Sequence, residues 1–232
     1  MSKESPVAVL GSTPEFRDLL CDCGFRNVFV IDKNQEFHER MNHMRIFRNE
    51  EVFVCGDWID VLGSYEAMFS LVLSDLTSGN VAYCDRARFY ELIDGSLSRG
   101  GWFIDKVLTN ERKLISIEHI EAYYADSPIN LQSANRFSCE AIFCSELQLE
   151  NEMIDTSEIY RRLEVRLPGR RFMALCELAK RVTPPGCRWY YGRPWGMLSG
   201  SYCPSLTLRR SFELPREGPY SGRAKQFIWQ KC

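Results

Sequence analysis

Val7-Ala8-Val9-Leu10-Gly11-Ser12-Thr13-Pro14-Glu15 is the stretch on which the reading of this chain turns. Four apolar residues in a row, two of them β-branched, suit a strand buried on both faces, as in a parallel sheet. Gly11 ends the run. Thr13 suits a helix N-cap, Pro14 the first helical position, and Glu15 the positive end of the helix dipole. The pattern predicts a helix over 14–23, closed by Gly24 at the position where a left-handed residue is favoured. Val28-Phe29-Val30-Ile31 is the next strand and ends at Asp32, which completes a β-α-β unit.

The alternation continues outward. Residues 34–47 carry Phe37, Met41 and Met44 at helical spacing, and Glu51-Val52-Phe53-Val54-Cys55 reads as a third strand before Gly56-Asp57-Trp58. Residues 69–74 form a fourth strand that stops at Asp75; a helix over 86–97 and a fifth strand over 102–108 follow. The expected fold class is therefore α/β: a Rossmann-like, mostly parallel sheet with helices on both faces. Residues 110–170 break the alternation. Segments 117–124 and 139–149 have helical spacing, which predicts a helical insertion after the fifth strand that covers an acceptor. A helix over 172–182 stops at Thr183-Pro184-Pro185-Gly186. Runs at 187–191, 206–214 and 226–230 read as strands. The whole, 1–232, is read as a single domain.

Composition bounds the function. The chain has 232 residues, 45% of them hydrophobic, which is enough to bury a full core, and a formal charge of -2. That balance argues against a general phosphate-binding surface, so nucleic acid is not an expected partner. No apolar run approaches the roughly 18 residues of a membrane span, and no secretory signal is visible, so the expected localisation is cytoplasmic. The ten cysteines contain no pair of CxxC units, and His38, His43 and His119 lack zinc-site spacing; the cysteines read as reduced, mostly buried thiols with no metal expected.

Asp32, Asp57 and Asp75 each directly follow an apolar strand. In an open parallel sheet the carboxyl ends of the strands form the ligand crevice, so all three are expected along one edge. Asp32 lies 21 residues past Gly11, near the spacing at which an acid meets a ribose hydroxyl pair; a helix N-cap is its plainer role. Asp57 is placed to accept from an adenine amino group. Trp58 reads either as a stacking surface beside that ring or as a core residue. At Asp75, capping and a place at the catalytic edge are both open.

With those residues the chain resembles the class I S-adenosylmethionine-dependent methyltransferases. The segments that carry the resemblance are Val7 to Arg17, with its L-G-x-T-P-E-x-R form, then Val30-Ile31-Asp32, Cys55-Gly56-Asp57-Trp58 and Leu73-Ser74-Asp75. The likeness covers residues 6–109 well and the terminal strands loosely, where it implies one antiparallel strand. It implies S-adenosylmethionine as cofactor, held by Gly11, Ser12, Thr13, Glu15, Asp32, Lys33, Asp57, Trp58 and Asp75. Arg17 is either a partner for the methionine carboxylate or solvated. The usual G-x-G-x-G is reduced to Gly11, with Thr13 and Glu15 at the later glycine positions, and Val9 stands where an acid commonly does.

Methyl transfer from a sulfonium is an in-line displacement driven by positioning and exclusion of water, so no catalytic residue need be visible. Asn80 and Tyr83 lie where an acceptor should approach, although Ser78-Gly79-Asn80 also reads as a turn. The (N/D)-P-P-(Y/F) signature of amino-methylating nucleic-acid enzymes is absent. Arg161-Arg162, Arg166 and Arg170-Arg171 are either a solvated face or a seat for an acidic acceptor group. Tyr190, Tyr191, Trp195 and Tyr202 either line an acceptor pocket or pack in a core. The leading expectation is methylation of a small-molecule acceptor. Methylation of a peptide or protein, a nicotinamide-dependent oxidoreductase and a non-catalytic partner protein are the alternatives.

Overall fold

The computed structural model describes residues 1–109, 115–147, 153–190, 202–213 and 223–232. They divide into two compact units: 1–107 with 202–212 and 225–232, and the remainder between 108 and 190 with 213 and 223–224.

The first unit is built on a seven-stranded sheet. β1 (Val7–Leu10) pairs in parallel with β2 (Val28–Asp32) on one side and β4 (Phe69–Asp75) on the other. β2 pairs in parallel with β3 (Glu51–Cys55), and β4 with β5 (Leu97–Leu108). The full order is β3-β2-β1-β4-β5-β9-β8, where β8 is Leu206–Glu213 and β9 is Ala224–Lys231. The amide of Cys232 donates to the Ser205 carbonyl and the Gln230 side chain to that of Gly100, so β9 runs against both neighbours. It is the one antiparallel strand, placed next to the edge.

Side-chain alternation explains how an all-apolar β1 is used. Val7 and Val9 face Val28, Val30, Leu71, Leu73 and the helix residue Leu20. Ala8 and Leu10 face Ile31, Phe69, Val72 and a larger cluster with Trp58, Phe89 and Ile93. Full burial of one such Val, Leu or Ile side chain stabilises the fold by about 1.5–3 kcal/mol.

The helices follow the punctuation with adjustments. α1 (Pro14–Asp22) starts at its proline and closes through Gly24, whose φ is +81°. Thr13 occupies the N-cap, but its side chain makes no capping bond. α2 (Gln35–Asn42) is shorter than the 34–47 expected. Its first turn is capped by Asn34 Oδ1, which accepts from the Phe37 amide. Beyond Asn42 the chain is drawn off the helix because the amides of Ile46 and Phe47 donate to the Asp18 carboxylate. The Phe37/Met44 stripe is solvent-exposed and His38 is the buried residue, so the spacing alone misread the inner face. α3 (Trp58–Val61) and α4 (Arg86–Ser96) complete this unit.

The second unit contains α5 (Ile117–Tyr124), α6 (Leu131–Ile142), α7 (Thr156–Arg166) and α8 (Arg170–Val182). The helix expected over 139–149 lies earlier, because Asn130 caps α6 by accepting from the Ser133 amide and the helix is spent by Ile142. The strand expected over 187–191 is β7 (Arg188–Tyr190), and it pairs antiparallel with β6 (Met153–Asp155), a strand the sequence pattern did not indicate. α8 packs on α6, so the second unit takes in more than residues 110–170. No helix among the described residues is long and apolar enough to cross a membrane.

Candidate cofactor-binding site

Parallel pairing puts the ends of β1, β2, β3 and β4 side by side: Leu10 is in register with Ile31 and Ser74, and Asp32 with Cys55. Gly11, Asp32, Asp57 and Asp75 therefore line one rim of the sheet. The strand order reverses between β1 and β4, and in open α/β sheets ligands bind at such a switch point. Thr77 ties the two sides of that point together, since its Oγ1 donates to the Leu10 carbonyl at 2.9 Å.

The first loop is held by Asp32. Its Oδ2 accepts from the Ser12 amide at 3.0 Å and the Ser12 hydroxyl at 2.8 Å, and its Oδ1 from the Asn34 amide at 3.0 Å. Asp32 is thus not the cap of α2. A carboxylate offers about four acceptor positions, so three filled here leave one. Gly11 has φ +90°, a backbone that L side chains rarely adopt, and open space where a Cβ would point. Glu15 and Lys33 are exposed beside this loop.

Asp57 caps α3: its Oδ1 accepts from the Ile59 amide at 3.1 Å. Trp58 is the core residue of the two options. It is 6% exposed, and its indole N–H is spent on the Ile31 carbonyl at 2.7 Å, so it offers no face for stacking. At the end of β4 the Asp75 carboxylate pairs with Lys106 Nζ at 2.8 Å. Leu76, which follows, has φ +60°, a left-handed conformation costing a non-glycine residue about 1–2 kcal/mol. Asn80 closes the short turn Thr77–Asn80 and is exposed, and the ring of Tyr83 lies under the Arg86 guanidinium at 4.1 Å.

Arg17 takes neither of its expected roles. It is 1% exposed and bonded to Glu51 and Asn42, away from the rim and from water. Arg161 and Arg162 both pair with Glu158 along α7, and Arg171 donates to the Tyr124 carbonyl. Tyr202 is a core residue and Tyr190 lies in β7; Tyr191 and Trp195 lie outside the described residues. All ten cysteines are free, but only Cys139, Cys144 and Cys176 are buried; the others lie in turns, at strand ends and on helix surfaces, so the mostly buried set expected is not found. Burial pushes the thiols of Cys139, Cys144 and Cys176 up to about 12, which keeps them protonated. Among the described residues no three His, Cys, Asp or Glu side chains gather as a metal site.

One group was missed. Asp105, level with Ser74 on the neighbouring strand, is fully buried. Its carboxylate accepts from Ser74 Oγ at 2.7 Å, Tyr202 OH at 2.7 Å and Tyr90 OH at 3.1 Å. The rings of Tyr90 and Tyr202 stack at 4.0 Å, and Tyr202 stacks on Trp229 at 4.3 Å. Burial pushes the Asp105 carboxyl up to about 6 although three hydroxyls favour its ionised form. Both tyrosines are raised well above their ordinary value, by burial and then by the Asp105 charge, and stay protonated donors. The signal in the sequence was a single acid inside the apolar strand Trp102-Phe103-Ile104-Asp105-Lys106-Val107-Leu108.

No protein-family model matches this chain, and no curated protein does. Solved structures share its fold. An S-adenosylmethionine-dependent methyltransferase from Methanosarcina mazei is 10% identical, with a TM-score of 0.56 over 100% of this chain and 94% of that one. The 1,6-didemethyltoxoflavin-N1-methyltransferase of Burkholderia thailandensis, solved with 1,6-didemethyltoxoflavin and S-adenosylhomocysteine, is 12% identical, with a TM-score of 0.51 over 98% of this chain and 72% of that one. A Rhodobacter sphaeroides structure named for zinc-dependent alcohol dehydrogenases is 14% identical, with a TM-score of 0.59 over 99% and 85%. At these identities the likeness shows the fold: a Rossmann-like α/β fold of the kind found in class I methyltransferases.

Proposed function

We propose that this chain binds S-adenosylmethionine at the β1–β4 rim and transfers its methyl group to a small-molecule acceptor. The observation that carries this reading is the alignment of Gly11, Asp32, Asp57 and Asp75 at the ends of four neighbouring parallel strands, around the point where strand order reverses. The residues fit the cofactor: the open, positive-φ backbone at Gly11 leaves room for a ligand to approach, and Asp32 keeps one acceptor position for a ribose hydroxyl. When bound, the cofactor supplies an electrophilic methyl group on a sulfonium. The chain's part is to hold and orient. Asp32 fixes the first loop through Ser12, and Asp57 presents its second carboxylate oxygen at the adenine side. Asp75, anchored by Lys106, sets the acceptor edge beside Asn80 and Tyr83. The Burkholderia thailandensis fold neighbour, solved with 1,6-didemethyltoxoflavin and S-adenosylhomocysteine, supports the same reading. Acceptor choice we assign to the segment 110–170, where the chain leaves the strand-helix alternation.

Titration calorimetry with S-adenosylmethionine, S-adenosylhomocysteine and NAD tests this. The expected result is binding of the first two and none of the third; binding of NAD alone refutes the proposal. A second reading, a non-catalytic relative, is favoured by one observation: Asp32 is only 7% exposed and already serves its own loop. Binding of none of the three ligands would select it.

A further inference from the structure

A cavity of about 270 Å³ opens among Arg17, His38, Arg45, Arg48, Asn49 and Glu51. These residues come from α1, α2, the connection after α2 and the start of β3, and none of them is a rim residue. Arg17 and Arg45 both bond Glu51, and Arg45 also pairs with Asp18 at 3.0 Å. Arg17 further bonds Asn42, and Asn49 Oδ1 accepts from Arg45. Arg48 is exposed and has no partner among the described residues. Arg17 and Arg45 are thus paired by Glu51 and Asp18, Asp32 and Glu39 also act on His38, and Arg48 is the guanidinium left without a carboxylate among the described residues. His38 adds no charge at neutral pH, since burial and then Arg17 hold its pKa below the ordinary value.

The hydrogen-bond account is one-sided. Arg17 Nη1 and Asn49 Nδ2 are buried donors without an acceptor among the described residues. Buried donors are seldom left unmade, because each costs about 1–3 kcal/mol. Water could accept at each nitrogen but carries no charge to set against Arg48; an oxyanion accepts and also pairs with that guanidinium. The free donors are Arg17 Nη1, Asn49 Nδ2 and the Arg48 guanidinium, and a phosphate group offers three terminal oxygens to these three side chains where a carboxylate offers two. The cavity approaches the roughly 300 Å³ at which small-ligand sites begin, more than a bare oxyanion fills.

We propose that this cavity is a second ligand site, separate from the rim, that takes a phosphate group, either inorganic phosphate or the phosphate of a small monoester. Titration of the full chain with inorganic phosphate and with glycerol phosphate, at ionic strength matched with chloride, tests it. Arg48→Ala removes an exposed, unpartnered side chain and leaves the fold intact. Asn49→Asp keeps the oxygen that accepts from Arg45 but replaces the free donor with a charge that repels phosphate. Phosphate is expected to raise the thermal midpoint where chloride does not, and each substitution to weaken its binding at least about tenfold. Tighter binding of the monoester would identify the rest of the cavity as space for its organic part. A phosphate response no greater than that of chloride, or an undiminished response in both variants, overturns the proposal.

Discussion

Asp32 and Asp105 are two buried carboxylates one register position apart in one sheet, and they are satisfied in opposite ways. Asp32 takes the Asn34 amide from its own turn, and the amide and hydroxyl of Ser12 from the loop after the neighbouring strand β1. Asp105 takes side-chain hydroxyls only, from Ser74, Tyr90 and Tyr202, the last 97 positions away in sequence. These donors are in place once β1 and β2 have paired, within one β-α-β unit. Hydroxyls on three separate segments converge only when the core has formed. The first carboxylate therefore shapes a loop and stays at the surface of the rim. The second knots β4, β5 and α4 to the C-terminal part of the chain, and its own charge is costly there.

The difference is sharpest against pH. In the folded chain the Asp105 carboxyl titrates near 6 instead of 3.8, so folding favours its protonated form. Its contribution to stability is whole below about pH 4 and is lost as pH rises through 6, a change of about 3 kcal/mol at most for a shift of this size. Urea denaturation of the wild type and Asp105→Asn across pH 4 to 8 should show the wild type losing stability relative to the variant over that window. Parallel curves would remove the buried-charge account of this knot.

Tyr202→Phe removes one donor from that carboxylate and should cost about 2 kcal/mol at pH 8, as for a hydrogen bond to a charged group, with a smaller loss at pH 4 where Asp105 is protonated. An equal loss at both pH values would make Tyr202 a packing residue only. The smallest effect belongs to the rim. Asp32→Ala should cost about 1 kcal/mol in denaturation, because water reaches part of what it leaves behind, while S-adenosylmethionine affinity falls at least about tenfold. A stability loss larger than that of Tyr202→Phe would invert the contrast between the two acids.

Much of the fold was legible because its signals are local. An apolar run with a glycine after it, a proline at a helix start, and an acid at each strand end specify β1 to β4 and the rim without reference to distant residues. The antiparallel strand near the C-terminus was anticipated as well. Local signals failed where a partner lay far off. The 34–47 helix was overcalled because Asp18 captures the Ile46 and Phe47 amides. Trp58 was settled as core by the Ile31 carbonyl one strand away. Arg17 went to Glu51 rather than to water or a ligand.

By itself the sequence determined the alternation, the parallel sheet and the placing of Gly11, Asp32, Asp57 and Asp75 on one edge, since strand periodicity and turn chemistry act within a few residues. Only the tertiary structure decided which polar side chains are consumed and which are left over. Asp105 held by Tyr90 and Tyr202, and the free nitrogens of Arg17 and Asn49, depend on segments tens of residues apart. Their hydrogen bonds exist only after the chain has paid the entropy of bringing those segments together.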